Sequence, residues 1–237
     1  MVYNSTMTST VEDMENLEVR ILKNFLSKED VEFLKTSIKN EREENDPRRV
    51  RIEEKQSRIV SDFQVPPTVT EAFLTAARKY GSPTLKEAHH TFFEYSGIYN
   101  GETHCAPHTD RSASYFSMNY QLDANVSWEL YVNGKEYLLE NNDLLIFSGT
   151  HQIHWRPRRD LTKDEYCGMV IFHFAEPDHW RFSKLTGDGQ PLGENPIPYE
   201  ELMTIWQDNE VMAGYWDFYL NDKRYEHTLT PDSKWRI

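Results

Sequence analysis

Two histidines and one aspartate carry the strongest chemical signal in the sequence. His108 and Asp110 are separated by one residue, so on an extended strand their side chains point to the same face. His154 follows much later, after the run Asp143-Leu144-Leu145-Ile146-Phe147-Ser148-Gly149. Two imidazoles and one carboxylate that leave coordination positions open are a ligand set typical of non-haem Fe(II). The spacing therefore predicts a metal site in which His108, Asp110 and His154 are also the catalytic residues.

The third ligand is not fixed by spacing alone. The sequence contains nine histidines, and His151 follows the same predicted strand as His154. Among the others, His104 and His173 are the best candidates to line a pocket beside the metal. We interpret the remaining histidines as ordinary core or surface residues.

Two amphipathic helices precede the metal motifs. The first begins after Ser27, a favourable N-cap, and should end near Asn40. The second is predicted from Thr68 to Tyr80, where Gly81-Ser82-Pro83 stops it. Between them, the segment Glu41 to Arg58 is dense in both charges. Such a segment indicates a solvated surface loop, or a lid that becomes ordered over a substrate.

From residue 88 onward the pattern changes to short strands separated by polar turns. Strands are predicted at His90–Tyr95, Ser114–Leu122, Trp128–Val132, Lys135–Leu139, Leu144–Phe147 and Met169–Phe174. Asn133-Gly134 is a hairpin signal, and Ser96 to Pro107 is expected to be a loop. This alternation favours a mostly β (α+β) fold, a barrel or sandwich that is braced on one face by the early helices.

Composition limits the classes of partner. The formal net charge of −13 argues against a general electrostatic grip on nucleic acid. No apolar run reaches the roughly 18 residues of a membrane span. Cys105 and Cys167 are the only cysteines, so we expect a reduced, cytoplasmic protein.

The length of 237 residues fits one domain. We expect a flexible tail over residues 1–16 and a single domain over 17–237. Its strand-rich core should span about residues 88–176, and a helical, aromatic extension should cover 177–237. Aromatic residues between Val211 and Leu220 indicate a packing patch or a homo-oligomer contact.

Several motifs together resemble one enzyme family. They are Tyr95-Ser96-Gly97, Pro107-His108-Thr109-Asp110-Arg111, Trp128 to Gly134, Asp143 to Gly149, and His154-Trp155-Arg156-Pro157. In this order they resemble the 2-oxoglutarate- and Fe(II)-dependent dioxygenases, in particular the prolyl-hydroxylase-like branch. The resemblance implies a double-stranded β-helix (a jelly roll, cupin-like) that binds Fe(II), uses 2-oxoglutarate as co-substrate and consumes O₂. The His-x-x-Pro ending favours His154 over His151 as the third ligand.

The resemblance also implies a buried cation for the distal carboxylate of 2-oxoglutarate, because arginine pairs well with carboxylates. In the family this cation commonly opens the last core strand, yet Glu165 to Phe174 contains neither arginine nor lysine. The candidate cofactor-binding residues are Arg156, Lys163, Arg111 and Tyr95. Arg156 comes first because it shares strand parity with His154 if the strand continues. The simpler interpretation of each cation is an ordinary surface charge. The simpler interpretation of Tyr95 is a packed strand residue.

The ligand set bears on the reaction. Related halogenases carry a small residue in place of the carboxylate, so Asp110 favours hydroxylation or another oxidation of an unactivated C–H bond, with succinate and CO₂ as co-products. The absence of peptide-binding repeats favours a small amino-acid-like metabolite as substrate. The alternatives are a prolyl or other protein side-chain hydroxylase, and a non-catalytic metal-binding jelly-roll module. Repair of alkylated nucleic acid is disfavoured by the net charge.

Overall fold

A computed structural model describes residues 14, 16–44, 49–53, 58–99, 102–110 and 114–177. These residues contain two long helices, α1 (Lys28–Glu44) and α2 (Pro67–Tyr80). The strands are β1 (Arg20–Leu22), β2 (Val50–Glu53), β3 (Arg58–Ser61), β4 (Lys86–Ser96), β5 (Glu102–His108), β6 (Phe116–Ala124), β7 (Leu130–Val132), β8 (Lys135–Tyr137), β9 (Asp143–Phe147), β10 (His154–Asp160) and β11 (Tyr166–Ala175).

The strands form two antiparallel sheets. The major sheet has seven strands in the order β1-β9-β6-β11-β4-β3-β2, and the minor sheet has four in the order β5-β10-β7-β8. Apart from the hairpins β2–β3 and β7–β8, neighbouring strands are separated along the chain by other elements, as in a double-stranded β-helix. The fold class predicted from the sequence is confirmed.

The two faces of the major sheet differ in chemistry. Its outer face is apolar, and it packs against α1 and α2. Leu34 and Ile38 come from α1, whereas Val69 and Phe73 come from α2. The sheet contributes Phe92, Tyr120, Val170 and Phe172, among others. Because side chains alternate along a strand, the residues between these positions face the interior between the two sheets.

The first helix begins as predicted but is longer. The Ser27 hydroxyl accepts a hydrogen bond from the Asp30 N–H (3.1 Å) and donates one to the Asp30 carboxylate (2.7 Å). The predicted end near Asn40 is wrong, because α1 continues to Glu44. Glu41 is buried and forms an ion pair with Arg49 (2.9 Å), so a charged residue occupies an inward position that the sequence pattern assigned to solvent.

Two predicted loops contain strands. The charged segment Glu41 to Arg58 contains the end of α1, all of β2 and the first residue of β3. β2 and β3 form a hairpin at the edge of the major sheet. The segment Ser96 to Pro107 contains most of β5, which pairs with β10. β5 has too little local apolar content to be recognised alone, because the partner strand that stabilises it, β10, lies far along the chain. The Asn133-Gly134 hairpin is confirmed, with φ angles of 47° and 76°.

Some predictions concern residues outside the described ranges. They are the tail over residues 1–16 apart from Met14 and Asn16, the aromatic patch between Val211 and Leu220, the extension over 177–237 apart from residue 177, and Arg111. None of the helices in the described part of the chain is long and apolar enough to cross a membrane.

Candidate metal centre

The two histidines are brought together by strand pairing in the minor sheet. His108 is the last residue of β5 and His154 is the first residue of β10. The two are direct partners in the antiparallel register, and their ring centroids lie 4.2 Å apart. Residues directly opposite on one face are near neighbours, so the pairing explains how histidines far apart in the chain share a site.

Asp110 lies in the segment that follows β5. Its N–H donates a hydrogen bond to the carbonyl of Gly149 (2.7 Å), which joins this segment to the turn before β10. A Cβ atom at position 149 would lie 2.5 Å from Asp110 Oδ2 and would also collide with Ser117 Oγ. Glycine is therefore required at position 149 for the close approach of the carboxylate.

The three side chains converge on one point. Asp110 Oδ1 lies 3.6 Å from His108 Nε2 and 3.6 Å from His154 Nε2. All three ligand atoms lie within 4.8 Å of one another. A metal–ligand bond is about 2.1 Å long, so a single ion can reach all three atoms. Nitrogen and carboxylate donors of this kind suit a divalent transition metal and leave other coordination positions free.

The second oxygen of Asp110 is held by the major sheet. Ser117 Oγ donates to Asp110 Oδ2 (3.1 Å) and also contacts His173 Nδ1 (3.0 Å). His173 is stacked on His89, with ring centroids 4.3 Å apart. Burial would raise the pKa of the Asp110 carboxyl, but His154, His108 and His173 hold it well below its usual range. The carboxylate is ionised at neutral pH and presents Oδ1 towards the histidines.

The orientation of each imidazole is set by its other nitrogen. His154 Nδ1 lies 2.9 Å from the carbonyl of Gln152, which requires a proton on Nδ1 and leaves the Nε2 lone pair for a metal. His108 Nδ1 lies 3.9 Å from the thiol of Cys105. Gln152 is itself fixed, because its side chain accepts from the Ser148 N–H (2.8 Å) and donates to the Leu17 carbonyl (2.8 Å).

The other histidines occupy different positions. His151 lies in the turn before β10, where its Nδ1 contacts Ser148 Oγ (3.0 Å) and Thr150 Oγ1 (2.8 Å). The structure thus brings His154, and not His151, beside His108 and Asp110. His173 lies next to Asp110, as the sequence analysis expected for a pocket residue. His104 is buried, and burial, followed by the charge of Arg58, lowers its pKa.

Arg156 lies in the interior, two residues along β10 from His154. Its side chain is only 2% exposed, and its Nη1 donates to the carbonyl of Trp128 (2.6 Å). The guanidinium lies over the Trp128 ring at 5.1 Å from the centroid. Within the described residues, its Nη2 is buried and has no hydrogen-bond partner. A buried guanidinium nitrogen without a partner is costly, and it fits a site for an anion.

Tyr95 faces the same interior from β4. It is 3% exposed, and its ring packs edge-on against Trp128, with centroids 4.9 Å apart. Its hydroxyl accepts a hydrogen bond from Arg58 Nη1 (2.9 Å). Burial raises the pKa of Tyr95 against the opposing charges of Arg58 and Arg156, so the phenol keeps its proton at neutral pH.

Of the two other cation candidates, the structure describes only Lys163. Lys163 is exposed on the turn between β10 and β11. It follows the end of β10 opposite to His154, and seven strand residues span about 20 Å. This distance and exposure place Lys163 at the protein surface. Arg111 lies outside the described residues.

Sequence reasoning missed several residues of the interior. They are Arg58, Ser117, Asn119, Trp128 and Gly149. Arg58 was assigned to a charged surface segment, although the adjacent β-branched pair Ile59-Val60 is typical of a short strand. Ser117 and Asn119 lie within a strand that was predicted, but nothing local indicated which of its polar residues face the interior.

No protein-family model matches the sequence, and no curated protein matches it.

Several solved structures share the fold. A prolyl-4-hydroxylase from Pseudomonas putida aligns with a TM-score of 0.50 and 14% identity, over 70% of this chain and 96% of that one. A prolyl hydroxylase from Trichoplax adhaerens, solved with a peptide fragment of hypoxia inducible factor, gives 0.50 and 14% over 73% and 90%. HygX from Streptomyces hygroscopicus, solved with nickel, 2-oxoglutarate and hygromycin B, gives 0.52 and 11% over 77% and 94%. At these identities the similarity establishes a shared double-stranded β-helix.

Proposed function

We propose that this protein is a 2-oxoglutarate- and Fe(II)-dependent dioxygenase that hydroxylates or otherwise oxidises an unactivated C–H bond. One observation carries the proposal: a convergent His108–Asp110–His154 cluster lies two strand residues from a buried arginine whose Nη2 has no partner within the described residues. Together these groups suit a metal ion and a dicarboxylate that reaches from it into the interior.

The metal would be held by His108 Nε2, Asp110 Oδ1 and His154 Nε2. Ser117 restrains Asp110 Oδ2, which favours binding through Oδ1 alone and keeps positions open for the co-substrate and O₂. Fe(II) bound there would supply the activation of O₂ that is coupled to the oxidation of 2-oxoglutarate to succinate and CO₂.

The co-substrate would extend from the metal towards Arg156. Two residues of a strand advance by about 6.6 Å, so Arg156 lies deeper in the interior than His154 by about the length of a short dicarboxylate. The guanidinium would bind the distal carboxylate and the Tyr95 hydroxyl would add a second donor. This arrangement would substitute for the missing cation at the start of β11, where Glu165 and Tyr166 stand.

For the substrate we propose a small amino-acid-like metabolite. The proposal is supported by the sequence, which contains no peptide-binding repeats. The fold alone does not choose, since structures that share it were solved with hygromycin B and with a peptide. A prolyl or other protein side-chain substrate is therefore a defined alternative, which the experiment below separates.

The test is succinate formation from 2-oxoglutarate by iron-loaded protein. Asp110→Ala should abolish turnover, because it removes the only anionic ligand of the cluster. Arg156→Met should raise the KM for 2-oxoglutarate by about tenfold or more, which is the usual cost of losing a charged hydrogen bond. Candidate substrates are free amino acids and a proline-rich peptide, each incubated with the enzyme and read by the mass gain of one oxygen atom.

The matched control is Arg78→Met, which changes an exposed arginine of α2, on the outer side of the major sheet and away from the proposed anion site. It should leave the KM for 2-oxoglutarate within about twofold of wild type, as surface substitutions have small effects. Tight metal binding without any 2-oxoglutarate turnover would instead identify a non-catalytic metal-binding jelly roll. Turnover that is unaffected by Asp110→Ala would contradict the metal assignment.

A further inference from the structure

Arg58 determines the direction in which the proton of the Tyr95 hydroxyl points. Its oxygen accepts a hydrogen bond from Arg58 Nη1 at 2.9 Å. A guanidinium can only donate, so the Tyr95 proton must point elsewhere. Within the described residues, nothing accepts a hydrogen bond from this proton. Among these residues the hydroxyl is thus a buried donor without an acceptor.

Arg58 is held rigidly and its charge is already compensated. Glu53, Arg58 and Tyr95 are neighbours in register across β2, β3 and β4. Glu53 Oε2 lies 2.6 Å from both Nε and Nη2 of Arg58. The guanidinium also lies over the Phe93 ring, at 4.4 Å from the centroid. Because Glu53 neutralises it, Arg58 is poorly suited to bind an anion itself.

Arg156 offers a second buried donor beside the first. Its Nη1 is bound to the Trp128 carbonyl, whereas its Nη2 has no partner within the described residues. The Trp128 ring contacts both Arg156 and Tyr95, so the two unpaired donors border the same part of the interior.

We propose that Arg58 is a positioning residue for the anion site: by donating to the Tyr95 oxygen, it makes the Tyr95 hydroxyl an obligatory donor towards a carboxylate bound by Arg156. This inference rests on the proposed function, because the carboxylate is the distal group of 2-oxoglutarate. Arg58 acts through Tyr95 and does not touch the co-substrate.

The experiment measures 2-oxoglutarate binding to iron-loaded protein by anaerobic titration calorimetry, together with the KM and kcat of succinate formation. Tyr95→Phe removes the donor, and Arg58→Met removes its orientation. Each should weaken binding by about tenfold, the loss expected for a hydrogen bond to a charged group, with iron affinity and kcat nearly unchanged. The double variant should bind no more weakly than Tyr95→Phe alone, since both changes remove the same interaction.

The chain offers a matched control on the outer face of the same strand. Arg42 forms an ion pair with Glu94 (2.9 Å) and donates to the Tyr99 hydroxyl (3.1 Å), which repeats the chemistry of the inner cluster. Arg42→Met should leave 2-oxoglutarate binding unchanged. Arg58→Lys keeps an obligatory donor at position 58 and should retain most of the affinity. Glu53→Gln combined with Arg58→Met avoids an unpaired carboxylate and should reproduce the loss seen with Arg58→Met.

Three results would overturn the proposal in distinguishable ways. If Arg58→Met binds 2-oxoglutarate as Arg42→Met does, Arg58 has no positioning role and the proposed function stands. If the losses from Arg58→Met and Tyr95→Phe add in the double variant, Arg58 does not act through Tyr95. If iron-loaded wild-type protein binds no 2-oxoglutarate, the proposed function and the role of Arg58 are both wrong.

Discussion

The outer and inner faces of the major sheet are built from the same strands but satisfy different requirements. On the outer face, Phe73 of α2 stacks on Phe172 with centroids 3.9 Å apart, inside a continuous apolar cluster. On the inner face, Asn119 Oδ1 is buried without a hydrogen-bond partner in the described residues, and so is Arg156 Nη2 of the facing sheet. One face is optimised for packing, whereas the other retains polar groups that the fold itself does not satisfy.

The two Arg–Glu–Tyr clusters illustrate the same difference. The outer cluster of Arg42, Glu94 and Tyr99 lies at the rim of a cleft of about 450 Å³ between α1 and the sheet. The inner cluster of Arg58, Glu53 and Tyr95 lies beside the anion site. Identical side-chain chemistry therefore indicates a function only when a polar group without a partner lies next to it.

The largest expected effect comes from the outer face. Phe73→Ala should lower the free energy of unfolding by about 3–5 kcal/mol, because it removes a fully buried ring from a packed core. Urea denaturation monitored by circular dichroism would measure this loss. Phe33→Ala, at a position that is 59% exposed on α1, should change it by less than about 0.5 kcal/mol. The folded fraction of Phe73→Ala should keep its iron affinity, and a parallel loss of iron binding would contradict the separation of the two faces.

A smaller effect of opposite sign is expected on the inner face. Asn119→Leu should raise the free energy of unfolding by about 1 kcal/mol, since it removes a buried amide oxygen that has no hydrogen-bond partner in the described residues. Its register neighbours are Leu145 and Ile171, so an apolar side chain is compatible with the site. The control is Gln121→Leu on the same strand, where the amide donates to the Leu139 carbonyl (2.8 Å). That variant should be destabilised by about 1–3 kcal/mol, and equal behaviour of the two would argue against an unsatisfied inner face.

The smallest effect concerns His90 and depends on pH. Its Nδ1 lies 2.6 Å from Glu87 Oε1 and its Nε2 lies 3.1 Å from the Phe63 carbonyl, so both nitrogens donate only when the ring is protonated. Burial lowers the pKa of His90, but Glu87 and the Phe63 carbonyl outweigh it, and the pKa is raised from 6.5. The stabilisation is therefore fully present below about pH 6.5 and is lost as pH rises through the raised pKa.

Unfolding measurements between about pH 5.5 and 8.5 test this linkage. The difference in stability between wild type and His90→Gln should be largest at the acidic end, at less than about 1 kcal/mol, and should vanish at the alkaline end. Glu87→Gln should reduce the same pH dependence, since it removes the main partner that raises the pKa. A difference that grows with pH would have the wrong sign for a raised pKa.

The sequence by itself determined the strand-rich fold, the two bracing helices and the candidate ligands. Helical spacing placed Leu34 and Phe73 inward, and the Asn133-Gly134 turn required positive φ angles that these residues tolerate. The His-x-Asp pair and the later histidine could be recognised because their types and order are a local property of the chain.

Only the tertiary structure decided how the site is completed. His108 and His154 meet because β5 and β10 pair in one particular register, which neither strand specifies alone. Arg58 enters the interior from a hairpin whose composition indicated a solvated surface, and its partners Glu53 and Tyr95 come from the two flanking strands. Whether a buried polar atom has a hydrogen-bond or ion-pair partner depends on residues that are distant in the chain. Only the folded chain therefore distinguishes Arg58, whose charge is neutralised by Glu53, from Arg156, whose Nη2 has no partner within the described residues.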